Sequence, residues 1–86
     1  YERFEIVFVF RDFSLIDGES YQRQYKTSTH KPLLRGYYVV SWPEDIAIRR
    51  FDENAEFYGP FIKRTDARSA MNQLSLRHRQ DIPSYM

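Results

Sequence analysis

The groups able to do chemistry are few and scattered. The two histidines, His30 and His78, lie far apart, and no cysteine occurs anywhere in the chain. A metal site would therefore have to recruit carboxylates around a histidine. Neither histidine belongs to an H-x-x-x-H or H-E-x-x-H spacing, the pattern that puts two ligands on one helix face. His30 reads as a loop residue and His78 as a cation near the end of a helix. Serines at 14, 20, 28, 41, 69, 75 and 84 lack the G-x-S-x-G setting that exposes a nucleophile. The carboxylates Asp45, Asp52, Glu53 and Glu56 gather around expected turns, where water keeps acids ionised. A working acid–base pair needs a cleft that splits two pKa values. The glycines at 18, 36 and 59 are too dispersed to cradle a phosphate. The expectation is a domain with no enzymatic activity, no metal and no cofactor.

Contact chemistry remains. Aromatic residues make up 17% of the 86-residue chain, with seven Tyr and seven Phe, and tyrosine and arginine are enriched where proteins meet. The candidate binding surface comprises Tyr21, Arg23, Tyr25, Tyr37, Arg49 and Leu76. Two partners are weighed, a protein and single-stranded nucleic acid, the latter stacking its bases on tyrosines and pairing phosphates with arginines. The net charge of +1 does not choose between them, but its distribution is informative. Residues 1–18 carry two cations against four acids, 19–35 four against one, 36–60 two against five, and 61–86 five against two. Acidic groups thus flank every basic segment, which favours mutual neutralisation and makes a protein the expected partner.

These residues need elements to position them. Phe4, Ile6, Phe8 and Phe10 alternate onto one face, predicting a strand over 4–13. Asp17-Gly18 marks a turn region over 14–18. A weaker alternation predicts an edge strand over 19–29, placing Tyr21, Arg23 and Tyr25 on one face. Residues 30–35 read as a loop, and 37–42 as a strand with Tyr38, Val40 and Trp42 turned to the core. Pro43-Glu44-Asp45 reads as a hairpin turn into a strand over 46–51, and a last strand, 56–58, ends at Gly59-Pro60. The helix is the clearest element, over about 65–79. Thr65 is its expected cap, Asp66 suits the positive end of its dipole, and Ala67, Ala70, Met71 and Leu74 form one stripe. Leu76 points away from that stripe, and 80–86 forms a tail. The predicted core joins Phe4, Ile6, Phe8, Phe10, Val40, Ala70, Met71 and Leu74.

The fold expected is α+β: one domain over 1–86, an antiparallel sheet of four to five strands with one C-terminal amphipathic helix on one face. No apolar run approaches the roughly 20 residues of a membrane helix. Absent cysteines favour a reducing compartment, so the expected location is cytoplasmic.

Two stretches resemble known families. Arg35-Gly36-Tyr37-Tyr38-Val39-Val40-Ser41-Trp42 is similar to the signature strand of RNA-recognition-motif domains, matching at Arg35, Gly36, Tyr37 and Val40, loosely at Trp42, and departing at Tyr38 and Val39. The resemblance implies a base-stacking role for Tyr37 on a sheet face. Gly59-Pro60-Phe61 followed by Thr65, Ala67 and Ala70 resembles the strand-to-helix passage of peptidoglycan-binding SPOR domains and of three-stranded DNA-binding domains of the integrase arm type. That likeness implies a fold and no particular activity.

Overall fold

A computed structural model describes residues 4–43, 48 and 50–80, the last four by backbone alone. Among the described residues five strands, β1 (Phe4–Arg11), β2 (Ser14–Ile16), β3 (Gln22–Gln24), β4 (Gly36–Ser41) and β5 (Glu56–Phe61), precede one helix, α1 (Arg64–Gln80). The strands form a single sheet in the order β3-β2-β1-β4-β5, every neighbour antiparallel. The α+β architecture expected from the sequence is the one observed.

Each face of the sheet carries a packed layer, and the one on the helix side is incomplete. On one face α1 lies against β1, β4 and β5. Ala67 is fully buried there between Ile6 and Val39, with Phe4, Tyr37, Phe61, Ala70, Met71 and Leu74 packed around it. Two alanines in the stripe let the helix lie close to the strands. On the other face the connecting segments fold back over Val7, Val9, Leu15, Tyr38, Val40 and Trp42, adding Tyr25, Phe13, Leu33, Phe51 and Ala55 to the strand residue Phe57. This loop-covered face is the drier one: Val9, Leu15 and Val40 are each 0% exposed. Tyr38, Val40 and Trp42 are buried, as their alternation predicts. Val40 lies opposite the helix, however, and does not join Phe4 and Ile6 in one cluster. Phe4, Phe8 and Phe10 are only half-buried.

Several boundaries differ from expectation. The first strand ends at Arg11, and Asp12-Phe13 make the hairpin turn, with Phe13 at a φ of 61°. The predicted turn region 14–18 therefore holds β2, and Asp17-Gly18 begins the next turn. The predicted strand 19–29 shrinks to three residues, because Asp17 draws the chain into a turn through Tyr21 and because Tyr25 leaves the sheet for the core. Of the strand predicted over 46–51, Ile48, Arg50 and Phe51 are not extended into the sheet, and 46, 47 and 49 lie outside the described residues. Gly59-Pro60 does not stop β5, which continues to Phe61. Nor does Thr65 cap the helix: the carbonyl of Lys63 accepts the first helical bonds, from the amides of Asp66 and Ala67.

Gly36 and Gly59 set the contact between β4 and β5. Both have φ near 150°, which side-chain-bearing residues rarely adopt. A Cβ on Gly36 would come within 2.7 Å of Pro60 Cβ, and one on Gly59 within 2.7 Å of the Tyr37 carbonyl oxygen. The register shifts by one residue between Tyr37 and Val39, opposite this glycine.

Candidate functional site

The register of the central strands builds a row of apolar side chains on the helix side. Phe8 of β1 stands opposite Ile16 of β2 and opposite Tyr37 of β4. The rings of Phe8 and Tyr37 lie 4.8 Å apart, tilted by 51°. Phe10 follows Phe8 by alternation. The register shifts between Val9 and Arg11, so Phe10 is the extra residue of a bulge, the device that re-aims side chains at a strand end. Arg11 accordingly comes back over the Phe10 ring at 5.0 Å, and Arg35 sits over the Phe8 ring at 5.6 Å.

The helix covers only part of this face. Its apolar stripe reaches Phe4, Ile6, Val39 and Phe61 and touches Tyr37. Beyond it Phe8, Phe10 and Tyr37 are half-buried and Ile16 is 37% exposed. Gln22 and Gln24, exposed on the edge strand, pair with Ile16 and Ser14 and share this face. The result is an open half-face: an aromatic row bordered by two arginines and two glutamines.

The loop-covered face carries a concavity of another kind. A cleft of about 510 Å³ is lined by Glu5, Asp17, Glu19, Arg23, Trp42 and Arg50, among others. Its charges already have structural duties. Glu5 Oε2 accepts from the Gly18 amide at 2.7 Å. Asp17 accepts from the amides of Glu19 and Tyr21, each at 2.9 Å, and from Arg23 Nε at 3.0 Å. Burial alone raises the Asp17 pKa, but the bonds from Tyr21, Arg23 and Glu19 together outweigh it and hold the carboxyl below its ordinary value of 3.8. The depressed folded-state pKa makes this stabilisation complete above the unfolded value and progressively lost as pH falls through the folded one. Asp17→Asn keeps an oxygen for the two amides and loses the charge. Its chemical-denaturation midpoint should fall less than that of wild type as pH is lowered below about 4. Parallel curves for the two proteins would show that Asp17 titrates alike folded and unfolded.

The residues singled out in the sequence do not converge. Tyr21 is 60% exposed on the turn after β2, with Arg23 over its ring at 5.8 Å. Arg23 points to the loop-covered side, where it pairs with Asp17. Tyr25 is 2% exposed, and its hydroxyl accepts from the Leu33 amide at 2.8 Å, so it serves the core. Leu76 is 51% exposed on the helix, and Arg49 lies outside the described residues. Only Tyr37 stands in the aromatic row. Its companions Phe8 and Phe10 are core residues by alternation alone, Arg35 is marked only by the signature-strand resemblance, and Arg11 and Ile16 carry no sequence signal of their own. Among the described residues no group of three His, Cys, Asp or Glu could hold a metal ion, and no helix is long and apolar enough to cross a membrane. No protein-family model matches the chain, and no curated protein or solved structure matches it either.

Proposed function

We propose that the domain is a non-enzymatic interaction module that recognises an extended partner chain on the open half of its helix-side sheet face. The observation that supports this reading is the row Ile16–Phe8–Tyr37, set side by side by the register of three strands and left half-open beside the helix. Apolar rings on regular strands hold their positions without a partner, so little ordering entropy is lost on binding. Aromatic and arginine side chains at the centre of such a surface are the usual energetic anchors of recognition. A protein partner is the expectation from the sequence; the row's rings and bordering arginines define the surface for any extended chain. A reducing compartment, the cytoplasm, is consistent with the absence of cysteine.

The test installs a photo-reactive phenylalanine analogue at Ile16, where the side chain is already partly exposed, and in parallel at Leu76 on the helix. Irradiation in native cell extract should give a discrete cross-linked species from position 16 and none from position 76. Cross-linking from position 76 alone would move the recognition surface to the outer helix face and overturn the reading.

A further inference from the structure

We infer that the chain taken by this open half-face is single-stranded nucleic acid; the inference rests on the reading of that face as the recognition surface. The argument is one of charge complementarity. Along the sequence, acids flank every basic segment; in the fold, five of the acids share clefts of the loop-covered face with Arg23, Lys26 and Arg50, while Arg11 and Arg35 stand away from them. Glu5, Asp17 and Glu19 line one cleft of the loop-covered face, and Asp52 and Glu53 line a neighbouring one. Arg11 and Arg35 lie instead over the rings of Phe10 and Phe8, on the open side. Because Phe61 pairs with Tyr37, Lys63 and Arg64 also start the helix at the same end of the sheet. At that end the acids placed by the chain path are Asp12, in the hairpin turn, and Asp66, in the first helical turn. Cations outnumber acids there, and they border aromatic rings.

Single strands combine the two features this surface answers. Their bases present flat π-faces that stack on aromatic rings irrespective of sequence, and their phosphates pair with arginine forks. A guanidinium lying over a ring can stack on it and still offer its edge N–H groups to a phosphate oxygen. A duplex would not fit in the same way, because its bases are already stacked on one another. An apolar peptide would leave the arginines without counter-charges.

Fluorescence anisotropy of a labelled mixed-sequence oligonucleotide of about ten nucleotides tests this directly. Binding is expected at micromolar concentration or tighter in moderate salt, weakening as salt rises. Tyr37→Leu keeps an apolar side chain and removes the stacking ring, and should weaken binding about five- to hundredfold. Arg11→Gln and Arg35→Gln should each lower the slope of log affinity against log salt by about one. Emission of Trp42, buried on the opposite face, reports whether each variant stays folded. Polyphosphate and a duplex of the same sequence should compete less well than the single strand. The inference is overturned by equal competition from polyphosphate, by unchanged affinity in folded Tyr37→Leu, or by no binding in moderate salt. Cross-linking of a protein from position 16 with no oligonucleotide binding would keep the recognition surface and assign it a protein partner. Neither cross-linking nor binding would remove both readings together.

Discussion

Replacing Tyr25 by alanine should cost roughly 3–5 kcal/mol of folding stability, the usual range for deleting a buried aromatic ring. In a domain of this size that is a large share of the total. The ring is packed between Phe13 and Phe57, with centroids 5.6 and 5.7 Å away, and 2% of the residue is exposed. Its removal opens a cavity that three loop-borne side chains, Phe13, Leu33 and Phe51, would have to fill. The loss has a second component, because the Tyr25 hydroxyl accepts from the Leu33 amide. Tyr25→Phe isolates that component: the rings stay and the amide loses its partner, at about 1–3 kcal/mol. Urea denaturation followed by Trp42 emission would measure both. A Tyr25→Ala midpoint equal to that of wild type would return Tyr25 to the surface, where its sequence neighbours suggested it belonged.

That contrast shows what the sequence could and could not reveal. Alternation in Phe4–Phe10 and Tyr37–Trp42 was legible, since period two is a local property of an extended chain. So was the helix stripe Ala67–Leu74. Tyr25 was misplaced because alternation across 19–29 presumes one continuous strand. Asp17 breaks that premise by accepting the Glu19 and Tyr21 amides, a turn-level event that leaves the spacing of the tyrosines unchanged. The core composition failed for a related reason. Alternation says that Ile6 and Val7 face opposite ways but not which face receives the helix and which the loops, and here each face holds a core cluster.

The open half-face lay within reach of simple geometry. The apolar row Phe4–Phe10 spans about 20 Å of strand, whereas the stripe Ala67–Leu74 extends only about 10 Å along its helix. One stripe of that length cannot cover the whole row, so some of the phenylalanines must remain partly open. Which ones they are depends on where the helix starts, and that is fixed by Phe61 pairing with Tyr37. The gathering of cations at that end was not legible, because it depends on strand order: Arg11 and Arg35 meet on one face only because β1 and β4 are neighbours.

The contact between β4 and β5 supplies the second large effect. Gly59→Ala should cost roughly 2–5 kcal/mol, combining an unfavourable backbone region with overpacking. The added Cβ would lie 2.7 Å from the Tyr37 carbonyl oxygen and 3.0 Å from Tyr38 Cδ2. The first of these neighbours is main chain of a central strand and cannot swing aside. Relief therefore requires β5 to move away from β4 at Tyr37, the residue that ends the aromatic row. Gly18→Ala provides the control. Its Cβ would meet Glu5 side-chain atoms at 3.1–3.4 Å, and a flexible carboxylate arm can give by a few tenths of an ångström. That substitution should stay within about 1 kcal/mol of wild type. The two variants together separate a rigid close approach from a general intolerance of side chains at glycine. Amide hydrogen exchange adds the local reading: Gly59→Ala should expose the β4–β5 amides around Tyr37 well before those joining β1 to β2. Equal midpoints for the two variants, with unchanged protection around Tyr37, would mean that the strands are not held as close as their glycines allow.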